Sequence, residues 1–227
     1  MESIANTLSS LAAKKGRDVQ IVFGEFLDYI IDCFSIDRLI TGDGNYELIF
    51  AKIKEEDSDY FPAFAELVMK SSKLISKNNV YDLFGNIYEL MFQSGRKAAS
   101  LGQFFTPQTV ADICSRIMYK QVDGRYRVNE PTCGSGRNLL SVFSENKDKP
   151  QYYVAEDLDS VSVKMCAINM MMHGMTGCCI CHNTLFPSEF IFGYEVNEVR
   201  YPFPCECYSL RPISIQEYER RFERRSI

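Results

Sequence analysis

A glycine turn between a predicted strand and a predicted helix is the feature that most constrains this chain. The segment 126–130 has the length and composition of a strand, the turn Glu130-Pro-Thr-Cys-Gly-Ser-Gly136 follows it, and a helix is predicted over 135–144. Glycines let the backbone approach a ligand closely, and the helix start offers free N–H groups. The unit therefore predicts a nucleotide or cofactor site at the carboxyl end of a sheet, with a plain tight turn as the alternative.

Short apolar segments and helices alternate from residue 102 onward. Thr106 is expected to cap a helix whose first position is Pro107. Further strands are predicted over 151–155 and 178–182, with a helix over 160–173 between them. This alternation predicts an α/β fold in which helices cover a parallel sheet.

The first 95 residues follow a different pattern. Apolar residues recur every three or four positions between Val19 and Phe34, and helices are also predicted from Pro62 and over 80–93. The sequence therefore predicts two domains, a helical N-terminal domain over 1–95 and the α/β domain over 96–227.

Net charge and hydropathy argue against a DNA-binding protein that relies on bulk charge and against a membrane protein. The 227 residues carry a formal net charge of −5, so DNA contact would need a local basic patch or a partner. The tail arginines alternate with glutamates, which favours a solvated helix with ion pairs. No apolar run is long enough to span a membrane, and the first 20 residues lack a signal-peptide pattern. We therefore expect a cytoplasmic protein without a membrane partner.

Nine cysteines with irregular spacing do not resemble a disulfide framework. Most are expected to be small buried residues. Cys178 and Cys181, together with Cys205 and Cys207, form a permissible zinc set. The predicted strand over 178–182 argues against such a site, because alternate residues of a strand face opposite ways.

Two further segments could contribute to a site at the glycine turn. Acidic residues end the second predicted strand, where Asp159 is expected to cap the next helix and Asp157 remains for the hydroxyls of a ribose. The segment 102–108 places two aromatic residues before a helix cap. A hydrophobic staple is the alternative interpretation of that segment.

These segments, in this order, resemble the modification subunit of type I restriction systems, a family of DNA adenine N6-methyltransferases. The matching sequences are GQFFTP at 102–107, NEPTCGSG at 129–136, VAEDLD at 154–159, INMMMHG at 168–174 and HNTL at 182–185. The similarity covers about residues 80 to 185.

The resemblance implies a Rossmann-like methyltransferase sheet, S-adenosyl-L-methionine as cofactor, and DNA as partner, reached directly or through a specificity subunit or a second copy. It also implies roles for particular residues. Glu130 would face the methionine amino group, Asp157 would bind the ribose, and Asn183 stands where the family usually has an aspartate that binds the cofactor's adenine. The other implied cofactor-binding residues are Gln103, Phe104, Phe105, Thr106, Pro107, Gln108, Gly134, Ser135, Gly136, Arg137 and Leu158.

The family's catalytic motif, Asn-Pro-Pro followed by an aromatic residue, is missing after the third predicted strand. Asn197 is the asparagine nearest to that place, and no proline follows it. No catalytic residue is therefore nominated, and the sheet is expected to be shortened, with the apolar tail 190–203 covering the edge that the missing strands would have paired.

Three functions remain open at this point. The first is a DNA adenine N6-methyltransferase, acting alone or with a partner. The second is a catalytically silent module that binds cofactor or partner within a modification complex, and the third is a methyltransferase for another acceptor.

Overall fold

The computed structural model describes residues 1–35, 59–75, 80–92, 106–118, 126–145, 151–186, 188–197 and 209–222. The chain divides into two compact units, Met1–Phe105 and Thr106–Ile227. The domain assignment made from the sequence, 1–95 and 96–227, stays a prediction.

The described residues of the first unit form four helices. They are α1 (Glu2–Lys15), α2 (Val19–Cys33), α3 (Phe61–Leu74) and α4 (Leu83–Phe92). The Asp18 side chain caps α2 by accepting a hydrogen bond from the backbone N–H of Gln20. Most apolar residues of α2 are buried, whereas Ile21 is 50% exposed, and Phe23 meets the rings of Tyr88 and Phe92 on α4. The predicted stripe of α2 is thus the core of this unit.

The second unit alternates strands and helices, as predicted. Its elements are α5 (Gln108–Met118), β1 (Tyr126–Glu130), α6 (Arg137–Glu145), β2 (Gln151–Asp157), α7 (Ser160–Met172), β3 (Gly177–Cys181), β4 (Phe192–Val196), β5 (Leu210–Pro212) and α8 (Ile215–Phe222). The α/β fold is confirmed.

The sheet has the strand order β1-β2-β3-β4-β5. The first three strands run parallel, with Glu130 beside Ala155 and Asp157 beside Cys181. β4 and β5 are antiparallel additions, so the sheet is mixed.

The apolar tail extends the sheet at a different edge from the one expected. A doubly wound sheet continues beside its first strand, whereas β4 pairs with β3. The physical reason is the length of the connection, since residues 182–191 are too few for the crossover that a parallel neighbour needs. Among the described residues, β1 pairs with β2 alone. Residues 198–203 of the predicted tail lie outside the described part.

Different elements cover the two faces of the sheet. On one face, Tyr153 meets the ring of Phe143 on α6, and the Cys179 thiol lies 3.5 Å from the Met170 sulfur on α7. The opposite face carries a separate buried cluster of Val154, Cys178, Ile180, Ile213 and Tyr218. The segment after β4 therefore buries the second face of β2 and β3.

Candidate site at the carboxyl ends of the strands

Three predicted site residues lie at one edge of the sheet, because β1, β2 and β3 are parallel neighbours. Glu130 ends β1, Asp157 ends β2, and Asn183 follows β3 by two residues. The crevice between these strand ends is the place where α/β sheets bind ligands. We refer to it as the strand-end crevice.

Asp157 is bonded directly to the glycine turn. One of its carboxylate oxygens accepts a hydrogen bond from the backbone N–H of Gly134 at 2.9 Å, and the other accepts from the N–H of Asp159 at 2.9 Å. Each oxygen can accept a further bond. Asp159 caps α7 by accepting from the Ser162 N–H, as predicted, whereas the role of Asp157 toward a ribose stays a prediction.

Glycine is needed in this turn for its backbone conformation. Gly134 has φ 53° and Gly136 has φ 93°, both in the region that side chains disfavour. Directly after the turn, α6 begins at Arg137, so the partly positive start of this helix lies beside the glycine turn. Ser135 is buried, and its carbonyl accepts a hydrogen bond from the Asn169 side chain at 2.9 Å.

Glu130 is half-buried and is held by neutral donors. The Thr132 hydroxyl donates to one of its oxygens and the Asn138 amide to the other, both at 3.2 Å. A carboxylate fixed in this way offers negative charge to a cationic ligand group.

The segment that starts α5 is tied to α6. The buried Arg137 guanidinium donates to the Thr106 carbonyl at 3.0 Å, and the Gln108 amide donates to the Ser141 hydroxyl at 3.0 Å. Pro107 is exposed between them. Gln103, Phe104 and Phe105 lie outside the described residues.

The loop after β3 closes the other side of the crevice. The Asn183 side-chain oxygen accepts a hydrogen bond from the Leu185 N–H at 3.1 Å, and the Thr184 hydroxyl donates to the Pro131 carbonyl at 2.9 Å. Leu158 and Leu185, at the ends of neighbouring strands, are 63% and 83% exposed. Their apolar surfaces are available to a flat ligand ring.

Asn197, the asparagine nearest to the expected catalytic motif, lies at the wrong end of the sheet for catalysis. Val196 is paired with Gly177, the first residue of β3, so Asn197 lies away from the strand-end crevice. It is buried with φ 54°, and its amide donates to the carbonyls of Met171 and Met175 at 3.1 and 2.9 Å. Asn197 is a structural residue.

The described part of the chain contains no group of three metal-ligating side chains. Cys178 lies in the buried cluster against Tyr218, whereas the Cys181 thiol contacts the Leu158 carbonyl, and burial raises the pKa of each thiol to about 11. The other two residues of the zinc hypothesis, Cys205 and Cys207, lie outside the described residues.

A buried hydrogen-bonded group behind the crevice was missed in the sequence. It joins Glu156, His182 and Tyr218. Glu156 and His182 could have been found from their positions, since each directly precedes a predicted ligand residue. No local sequence pattern indicates Tyr218.

Fold and site together define an α/β protein whose candidate site lies at the carboxyl ends of parallel strands. The model of the N-6 DNA Methylase family matches residues 79–197, and the chain belongs to that family. Similar proteins include the methylase subunit of the type I restriction enzyme MpnII from Mycoplasma pneumoniae, 30% identical over 104 residues, and that of EcoEI from Escherichia coli, 28% identical over 109 residues.

These matches cover 44% and 41% of this chain but 19% and 21% of the relatives, so the matched part spans about a fifth of each relative's length. A solved type I restriction-modification methyltransferase subunit from Streptococcus thermophilus is 17% identical, with a TM-score of 0.37, over 77% of this chain and 56% of the other. Within the described residues, every helix is too short or too polar to cross a bilayer.

Proposed function

We propose that the chain binds S-adenosylmethionine in the strand-end crevice and forms the cofactor-binding part of a DNA adenine N6-methyltransferase of the type I restriction-modification kind. The observation that carries the proposal is the Asp157 carboxylate, bonded to the Gly134 N–H and still able to accept from ligand hydroxyls. Membership of the N-6 DNA Methylase family supports it.

The charges and surfaces of the crevice suit the parts of this cofactor. Glu130 would pair with the methionine ammonium group, the Asp157 carboxylate would accept from the ribose hydroxyls, and Leu158 and Leu185 would pack on the adenine ring. The second lone pair of the Asn183 oxygen would accept from the adenine amino group. When bound, the cofactor supplies an electrophilic methyl group on a sulfonium.

The remaining predicted contacts belong to the proposal as well. The backbone of Gly134, Ser135 and Gly136 would approach the methionine side of the cofactor. The buried Arg137 would act indirectly, by holding Thr106 and the segment before α5 near the crevice. Gln103, Phe104, Phe105, Pro107 and Gln108 belong to the proposal through the family resemblance of segment 102–108.

Calorimetric titration of the full chain with S-adenosylmethionine tests the site. Asp157→Asn keeps the size of the side chain and removes its charge. We expect affinity to fall about ten- to a hundredfold, the loss that follows from a hydrogen bond to a charged group of about 1.5 to 3 kcal/mol. Glu145→Gln is the matched control, because Glu145 pairs with Arg116 at the far end of α6. An absence of heat with the wild type would refute the proposal.

A second candidate is a catalytically silent module that binds cofactor or a partner. It is favoured by the absence of an Asn-Pro-Pro-aromatic sequence after β3 and by the structural role of Asn197 at the opposite end of the sheet. Methyl transfer from tritiated cofactor to DNA separates the two candidates, measured with and without added specificity-type subunits. Label in DNA supports the methyltransferase, whereas tight cofactor binding with unlabelled DNA supports the silent module.

A further inference from the structure

A buried acid, histidine and tyrosine form a hydrogen-bonded chain on the face of the sheet that α8 covers. The His182 Nε2 atom lies 2.6 Å from a Glu156 carboxylate oxygen, and its Nδ1 atom lies 2.7 Å from the Tyr218 hydroxyl. His182 and Tyr218 are each 1% exposed, and Glu156 is 8% exposed. Both ring nitrogens of His182 are therefore used, and the group is shielded from water.

This buried group lies directly behind the proposed ligand residues. Glu156 precedes Asp157 on β2, where adjacent side chains point to opposite faces of the sheet, and His182 precedes Asn183 in the loop after β3. Backbone bonds tie the same residues to the crevice. The His182 N–H donates to the Asp157 carbonyl at 3.0 Å, and the Cys133 N–H of the glycine turn donates to the Glu156 carbonyl at 2.8 Å.

Tyr218 brings a distant segment of the chain to this group. It lies on α8, and its ring stacks on Phe190 with a centroid distance of 4.4 Å. Farther out on α8, Glu217 pairs with Arg211 at 2.9 Å, and Arg221 pairs with the buried Glu195 of β4. Tyr218 is the residue of segment 209–222 whose hydroxyl is hydrogen-bonded to the Glu156–His182 pair.

A buried histidine–carboxylate pair is sensitive to the loss of a partner. An unsatisfied buried polar group costs about 1 to 3 kcal/mol, so the pair is stable in this geometry only while its remaining polar atom has a partner. When α8 leaves the sheet, His182 loses the Tyr218 hydroxyl and gains access to water. The side chain and the strand end that carries it are then free to shift.

We propose that Glu156, His182 and Tyr218 are positioning residues that couple the docking of segment 209–222 to cofactor binding in the strand-end crevice. The docked segment holds His182 against Glu156, which fixes the separation of Asp157 and Asn183. The inference rests on the proposed cofactor site. Because coupling between two binding events is reciprocal, cofactor must also stabilise the docked segment. A factor that displaces the segment lowers cofactor affinity and so regulates the site.

The test combines one conservative variant with a measurement at the other end of the coupling. Tyr218→Phe removes only the hydroxyl. We expect its dissociation constant for S-adenosylmethionine, measured by calorimetry on the full chain, to rise about three- to tenfold, the effect of one hydrogen bond. Tyr29→Phe is the matched control, because it removes a hydroxyl from a tyrosine of the first unit that is also buried, at 5% exposed against 1% for Tyr218.

Hydrogen exchange of the amides in 215–222, measured relative to that of the β2 amides, provides the reciprocal measurement. The reference removes the general stabilisation that any bound ligand gives the folded unit. In the wild type, added S-adenosylmethionine should slow this exchange, and in Tyr218→Phe the slowing should shrink. His182→Gln, which retains polar atoms but cannot bridge both partners in the same way, should behave like Tyr218→Phe. The wild-type exchange measurement stands whether or not a variant folds.

The outcomes separate this inference from the proposed function. The coupling would be overturned if both variants bound the cofactor with wild-type affinity and if added cofactor left the exchange of 215–222 unchanged. The cofactor site would then remain intact. A wild type that does not bind S-adenosylmethionine would remove the site, and the coupling with it. Weaker binding in both variants together with cofactor-dependent protection of 215–222 supports the coupling.

Discussion

Replacing Gly136 by alanine should strongly destabilise the second unit. The residue has φ 93°, and a Cβ atom built on it would lie 2.9 Å from the Cys166 sulfur and 3.6 Å from the Cys166 Cα atom. The backbone conformation alone costs about 1 to 3 kcal/mol for a residue with a side chain. Overpacking against a buried helix costs about 1 to 3 kcal/mol more, so we expect a total of about 2 to 6 kcal/mol.

A double-mutant cycle separates the two contributions. Cys166→Ala removes the sulfur, so Gly136→Ala made in that background should cost only the backbone part. The difference, about 1 to 3 kcal/mol, is the coupling between the two residues. Gly16→Ala is a control for backbone cost without a clash, since Gly16 has φ 60° and nothing within 4 Å of the added atom. It should cost about 1 to 2 kcal/mol.

Hydrogen exchange under native conditions is the suitable assay, because the chain has two units that need not unfold together. The opening free energy of β2 and α7 amides should fall in Gly136→Ala, while α2 amides keep their wild-type values. The reasoning would be refuted by a Gly136→Ala variant as stable as the wild type, or by a cycle without coupling to Cys166.

Two further predictions concern ionisable groups of the second unit. Among the cysteines of the described residues, Cys114 should be alkylated first by iodoacetamide at pH 8, because it is exposed, whereas burial raises the pKa of Cys178 to about 11. Peptide mass spectrometry measures this order, and early labelling of Cys178 in folded protein would contradict it. The hydrogen bond from Arg211 lowers the pKa of Glu217 below its usual 4.5, so this pair stabilises α8 fully above about pH 4.5 and the stabilisation is lost as pH falls through the lowered value. The protection factors of the 215–222 amides, which correct for the intrinsic pH dependence of exchange, should therefore fall on acidification, less so in Arg211→Gln, and identical pH profiles would argue against the pair.

Local signals were sufficient to predict the elements around the crevice. β1 has the bounds that were predicted, and the predicted helix over 160–173 corresponds to α7 with His173 as its C-cap. Thr106-Pro107 indicated the start of α5, and glycine signalled the turn before α6. These features depend on residues within a few positions of each other, which is why they can be read from a sequence.

The contacts that hold the site together are not local. Tyr218 meets His182 across 36 positions, and Arg137 reaches the Thr106 carbonyl across 31. Arg137 was expected among the cofactor-binding residues, which stays a prediction, and its buried side chain holds the neighbouring segment. The pairing of β4 with β3 likewise depends on the length of a loop and on burial of the second face. Strand propensity does not distinguish one sheet edge from the other.

Both faces of β2 and β3 are covered within the described residues, and this burial supports the strand ends that carry the candidate site. Parallel strands are stable when both of their faces are covered. Here α7 covers one face, and Ile213 and Tyr218 cover the other against Val154, Cys178 and Ile180. The strand ends that carry Asp157 and Asn183 are thus supported from both faces of the sheet. The proposed cofactor titration therefore tests the folded crevice, whereas the proposed methyl transfer to DNA also needs groups that position the acceptor base.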